Sequence, residues 1–273
     1  MLPPPVNIGR RIRDLKRAQE IIRILLRYGF DDVVLELGLE PLVDRTRRLF
    51  GITPVVDPEL TTPARLRHAM EELGPTFIKL GQILSVRPDL VPVEWTREFR
   101  KLQDDVAAVP FEDIHERLVE AYGKDFADRF QSIEEEPLAA ASIAQVHRAT
   151  RQDGTEIVLK IKRPRIDERL EADMDILRFF ARLAEDRFSN VGYSPTQVVE
   201  QFDRELQREV DFLHEARATE RLKKAFEETE GVEFPAVYWE DTTRHILAIE
   251  EIKGTLIAKL DPEDLRSEEH TSE

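Results

Sequence analysis

Ser142-Ile143-Ala144-Gln145-Val146-His147-Arg148-Ala149, Gln152-Asp153-Gly154-Thr155 and Glu156-Ile157-Val158-Leu159-Lys160-Ile161-Lys162 form the stretch on which the fold turns. Two short apolar-rich runs flank an Asp-Gly pair, whose residues tolerate the positive φ of a tight turn, so the stretch predicts a β-hairpin. Downstream, residues 167–185 and 196–228 have helical character, the second with or without an interruption. Residues 232–238 and 245–249 are apolar runs that read as two further strands. The order strand, strand, helix, strand, strand joins its strands by hairpins, which predicts an α+β fold with an antiparallel sheet.

Upstream of the hairpin, Pro and Gly divide a helical block. One helix passes through residues 22–27 to Tyr28-Gly29, and another spans 41–50 and stops at Gly51. Thr62-Pro63 offers an N-cap and a first-turn proline for a helix towards Leu73. Gly74-Pro75 breaks that helix, and residues 76–86 resume it until Arg87-Pro88. Residues 110–122 place Phe111, Ile114, Leu118 and Val119 on one face, and Gly123 ends them.

Composition narrows the function. The 273 residues are 41 % hydrophobic and 35 % charged, a soluble globular profile with no apolar run long enough to span a membrane. The first residues carry no secretory signal, and with no cysteine there are neither disulfides nor thiolate metal sites, so a cytoplasmic location is expected. A net charge of −15 argues against general nucleic-acid binding. Residues 10–27 run against this average, with seven Arg or Lys against Asp14 and Glu20. This basic amphipathic helix either docks on its own domain or makes peripheral contact with an anionic membrane.

The chemistry-bearing residues centre on Lys160. Ile157-Val158-Leu159-Lys160 has the form of the kinase strand whose lysine reaches nucleotide phosphates and is steered by a helical glutamate. Alone it is weak, since apolar strands ending in lysine are common at surfaces. Glu215 is the candidate partner, within Glu209-Val210-Asp211-Phe212-Leu213-His214-Glu215. Where typical kinases carry a glycine-rich loop, Ala139-Ala140-Ala141-Ser142 precedes the hairpin, and alanine avoids positive φ, so a stiffer loop is expected. Further upstream, Lys79 and Gln82 stand three apart on one helix face. Gly81 between them costs that helix roughly 1 kcal/mol relative to alanine, which predicts a close approach to its backbone.

Together these pieces resemble the UbiB (AarF/ADCK) family of atypical kinases over residues 10–265. The landmarks are Lys79-Leu80-Gly81-Gln82 (KxGQ), Leu102-Gln103-Asp104-Asp105, residues 139–147, Lys160, Arg163-Pro164 and Glu209-Val210-Asp211 (ExD). The resemblance implies a protein-kinase-like small lobe over residues 130–253, preceded by a helical family-specific extension over 1–129. It implies that Lys160 contacts nucleotide phosphate and pairs with Glu215, under a loop of Ala139, Ala140, Ala141 and Ser142. Lys79 and Gln82 come to the cleft as a lid with Glu209 as the partner of Lys79, beside Asp211. Glu209 and Asp211, two apart, diverge on a regular helix, so a helix start or distortion is expected there. Glu250 and Ile252 lie in the strand-to-hinge segment beside adenine. ATP and Mg2+ are the implied cofactors, and isoprenoid quinone biosynthesis, with lipid or biosynthetic-protein partners, is the implied role. Lys162, Arg165 and Val86 depart from frequent family residues without touching the motifs.

A kinase also needs an Asp-and-Asn catalytic loop and a further metal-binding Asp. The nineteen residues after Gly254 contain neither pattern. Residues 254–265 read as the start of a large lobe. Residues 266–273, Arg-Ser-Glu-Glu-His-Thr-Ser-Glu, read as a translated sequencing adapter, AGA-TCG-GAA-GAG-CAC-ACG-TCT-GAA, so the native chain is expected to continue. The expected function is an ATP-binding kinase or ATPase whose present fragment is inactive; the alternative is a non-catalytic nucleotide-dependent scaffold.

Overall fold

The computed structural model describes residues 8–51, 57, 59–102, 107–187 and 194–255. Gln103, Asp104 and Asp105 and residues 256–273 lie outside this set.

Five strands, β1 (Phe130–Ile133), β2 (Ala139–Ala140), β3 (Ala144–Arg151), β4 (Glu156–Lys162) and β5 (Ile246–Glu250), form an antiparallel sheet in the order β1-β3-β4-β5, with β2 also on β3. The β3–β4 hairpin pairs Val146 with Lys160, His147 with Leu159 and Ala149 with Ile157. Gly154 closes it at φ +85°, and Asp153 Oδ1 accepts the Thr155 N–H at 2.9 Å, the short-range bond that suits aspartate to turns. β3 starts two residues later than the apolar run, because Ser142 and Ile143 form the bend out of β2, where Ala141 N–H donates to the Ala144 carbonyl at 2.8 Å.

The described residues also form ten α-helices: α1 (Ile8–Arg27), α2 (Asp31–Glu36), α3 (Glu40–Phe50), α4 (Thr62–Leu73), α5 (Pro75–Leu84), α6 (Val93–Phe99), α7 (Phe111–Tyr122), α8 (Ile166–Arg187), α9 (Pro195–Glu209) and α10 (Phe212–Ala225). Alternation along the strands gives the sheet two different faces. Ile157, Leu159 and Ile161 join Ile246, Ala248 and the α7 residues Ile114 and Leu118 in one core. On the other face Ala144 and Leu247 meet Phe212 and Ala216 of α10. A third core joins α1, α4 and α5 to Ile176 of α8, and a smaller one packs Ile22 and Leu26 of α1 against Val34, Leu39 and Val43.

Several sequence readings shift. Thr61, not Thr62, is the N-cap of α4: it is extended at ψ 158° and its Oγ1 accepts the Ala64 N–H at 3.4 Å. Residues 196–228 divide into two helices at Val210-Asp211. Residues 232–238 form no strand beyond one bridge, Val237 to Ile249; Pro235 has no N–H to give a ladder, and the segment only follows β5. The basic helix α1 is docked on its own molecule, with Ile21, Ile22, Ile24 and Leu26 buried. These four residues are therefore not available to a membrane, while Leu15 of the same helix is 46 % exposed. No helix of the described residues is long and apolar enough to cross one.

Candidate functional site

Lys160 lies on the α10 face of β4. Its ammonium donates to both carboxylate oxygens of Glu215, at 2.8 and 2.7 Å, and sits 5.1 Å from the centre of the Phe212 ring. Glu215 falls in the first turn of α10, where the helix dipole favours a carboxylate. The two side chains keep 32 % and 41 % of their surface exposed, so the pair is accessible to solvent.

Lys79 reaches the same corner from the other side. Its side chain is only 15 % exposed, and its ammonium meets Glu209 Oε1 at 2.6 Å. A lysine drawn this far out of water needs an opposite charge. Glu209 is the last residue of α9 and Asp211 is the N-cap of α10, accepting the Leu213 N–H at 3.1 Å. The interruption at Val210 lets Glu209 turn to α5 while Asp211 starts the next helix. Thus both lysines end on the α9–α10 corner.

Gln82 goes elsewhere: its amide donates to the Leu102 carbonyl at 3.3 Å, not towards Glu209. Gly81 is approached closely, as its sequence position suggests, but by this chain itself. A Cβ there would overlap Leu102 Cδ1 and come within 2.9 Å of Met70 Sδ.

The alanine segment is a braced turn. Ala139 and Ala140 pair with Val146 and Gln145, and Arg163, whose strand-to-proline position carried no assigned role in the sequence, donates from Nε to the Ala141 carbonyl at 2.8 Å. Arg163 also reaches the Ala107 carbonyl at 2.9 Å, and burial holds its pKa below the usual arginine value. Ser142 is only 1 % exposed, so it supports the turn from inside while Ala139 to Ala141 form the outer surface. Beneath the turn, Gln145 accepts the Val109 N–H through Oε1 and faces His147, whose Nδ1 donates to the Glu134 carbonyl at 2.8 Å. Neither Gln145 nor Arg163 was legible as a brace, because their carbonyl partners carry no side-chain signature.

Glu250 closes β5 opposite Ile157, and its Oε2 accepts the Ala236 N–H at 3.0 Å. Ile252 follows, 51 % exposed. Among the described residues no group of three His, Asp or Glu is arranged to hold a metal ion.

Comparisons with known proteins bear on the family. Residues 101–271 match the model of the ABC1 atypical kinase-like domain. A "Probable protein kinase UbiB" of Pseudomonas aeruginosa PAO1 is 38 % identical over 254 residues, covering 90 % of this chain and 47 % of its own length. One from Cellvibrio japonicus is 37 % identical over 247 residues, covering 89 % and 44 %. The chain spans about half the length of the curated relatives it matches. Among solved structures, Rv3197 of Mycobacterium tuberculosis, determined with erythromycin, superposes with a TM-score of 0.50 at 25 % identity, over 82 % of this chain and 52 % of its own. With helices, an antiparallel sheet and the matched domain, the chain belongs to the ABC1 atypical kinase-like family, of the UbiB type that its motifs resemble.

Proposed function

We propose that this chain is the nucleotide-gripping part of a UbiB-type atypical kinase or ATPase that serves isoprenoid quinone biosynthesis. The observation that carries the reading is the Lys160–Glu215 pair. Glu215 takes two of the three ammonium donors, orients the lysine and leaves a donor for a phosphate oxygen. Ala139, Ala140 and Ala141 form the turn over the phosphates, held from inside by Ser142, and the backbone of Glu250 and Ile252 lies beside adenine. ATP brings the transferable phosphoryl group and Mg2+ neutralises its oxygens. The chain's own part is to bind and orient that group, with Lys79 and Glu209 closing the cleft against large protein acceptors. Lipid-like acceptors and biosynthetic proteins are the proposed partners. Contact with an anionic membrane through α1 is proposed in electrostatic form, because Ile21, Ile22, Ile24 and Leu26 are buried.

Titrating the 273-residue chain with a fluorescent ATP analogue and Mg2+ tests this. Weak saturable binding is expected, weakened about tenfold by Lys160→Ala through loss of charge-assisted bonds, with no phosphate release. Binding indifferent to Lys160→Ala defeats the assignment. ATP turnover abolished by Lys160→Ala defeats the expected inactivity.

A further inference from the structure

Two helix faces of equal spacing confront each other where the N-terminal helices meet the lobe. Arg13, Lys16, Arg17 and Glu20 stand on α1, and Arg165, Glu168, Arg169 and Ala172 repeat the i, i+3, i+4, i+7 spacing at the start of α8. Together they wall a groove of about 570 Å³ with five cations and two acids, in a chain of net charge −15.

Part of this charge is neutralised from behind. Arg17 pairs with buried Asp173 at 2.6 Å and with Glu20 at 2.8 Å, and Arg13 reaches Glu168 and Glu171 at 3.4 Å. Among the described residues, Lys16, Arg165 and Arg169 have no carboxylate within 4.0 Å, the limit for an ion pair. Arg17 and Arg169 both donate to the Leu73 carbonyl, at 2.6 and 2.9 Å, which holds two like charges together. Gly74 permits this crowding, for a Cβ at its φ of +96° would stand 3.0 Å from the Arg169 guanidinium. Burial and the charge of Arg17 lower the Arg169 pKa, while Asp173 and Glu20 oppose the shift. Arg165 has φ +56°, the one positive value outside glycine among the described residues, so its charge is kept on the rim against backbone strain.

We infer that this groove binds a phosphate group through Lys16, Arg165 and Arg169. Guanidinium groups match phosphate oxygens in geometry, and an anion relieves the repulsion between Arg17 and Arg169. The group comes either from a soluble phosphate compound or from a lipid headgroup. This site is independent of the nucleotide reading, and Lys160 separates the two experimentally.

The full 273-residue chain is titrated with pyrophosphate by calorimetry in phosphate-free buffer. One-site binding is expected, weakened about tenfold or more by Arg165→Gly and by Lys16→Ala, and unchanged by Lys160→Ala. Arg165→Gly should also raise the Tm, because glycine adopts this φ freely, so its weaker binding is separable from misfolding. Vesicles of phosphatidylcholine with and without phosphatidic acid form the second arm. Cosedimentation that requires phosphatidic acid and falls in the same variants, without pyrophosphate binding, assigns the phosphate to a headgroup. No binding in either arm overturns the site, as does binding that persists in the Lys16→Ala/Arg165→Gly double variant. Pyrophosphate binding lost with Lys160→Ala also overturns it, by placing that anion at the nucleotide site.

Discussion

Gly81 is packed against Leu102 and Met70, both at most 5 % exposed, which leaves no space for a methyl group. Gly81→Ala is expected to destabilise the chain by about 1–3 kcal/mol from overpacking, outweighing the roughly 1 kcal/mol that alanine contributes to a helix. Denaturant titration measures it, and adding Leu102→Ala should recover part of the loss; an alanine variant as stable as the parent contradicts the packing argument. His147 is a second residue with a defined burden. Burial lowers its pKa below the ordinary 6.5, with the hydrogen bond to Glu134 opposing, and it accepts from Gln145 at 3.2 Å. The folded chain therefore keeps His147 neutral where the unfolded chain takes up a proton. Its contribution is fully present above the unfolded value, near 6.5, and declines as pH falls through that value towards the lower folded one. Between about pH 7.5 and 5.5 the Tm should fall more steeply in the parent than in His147→Gln. Equal slopes would remove His147 from the account.

At the scale of the element, the α9–α10 corner sets where both lysines end. Asp211 caps α10, and the cap orients the first turn that carries Glu215. Asp211→Ala should cost about 1 kcal/mol of stability, whereas Asp211→Asn, which keeps a capping oxygen, should stay close to the parent. If asparagine proved as damaging as alanine in thermal melts, the carboxylate charge and not the cap would be the working feature. The residue pattern alone left the interruption open; it was expected here only because the family resemblance brings both Glu209 and Asp211 to the cleft, which residues two apart on one continuous helix cannot do. Which acid meets which lysine came from the family resemblance; the helical period alone leaves several acids eligible.

Across the whole molecule, one buried cluster ties the N-terminal helices to the lobe. Asp173 of α8 is fully buried and receives Arg17 of α1 at 2.6 Å and Thr76 of α5 at 2.5 Å, three residues before Lys79. Asp173→Ala leaves Arg17 buried without its carboxylate and should cost about 3–5 kcal/mol. Replacing both, as Arg17→Met with Asp173→Leu, should cost clearly less than the two single changes added together. Additive losses in a double-mutant cycle would mean that the two side chains act separately. Because Thr76 shares the cluster, the single change should also weaken the placement of Lys79, read as lost protection of the α5 amides in hydrogen exchange.

The sequence by itself determined the β3–β4 hairpin, the long helices and the strand position of Lys160. These rest on local physics: a period of two, a period near 3.6, an Asp-Gly turn, and Pro or Gly at the breaks. It left out α2, α6, β1 and β2, which are too short to show a period, and it made a strand of residues 232–238, where Pro235 denies the ladder a donor. Only the tertiary structure decided that α7 covers one sheet face, that Arg163 and Gln145 brace the alanine turn through carbonyls, and that Arg17 belongs to Asp173, 156 residues away. With 55 acids facing 40 Lys and Arg, charge type alone cannot select such partners. Burial selects them, because a charge taken out of water persists only where the packed chain places its counter-charge within reach.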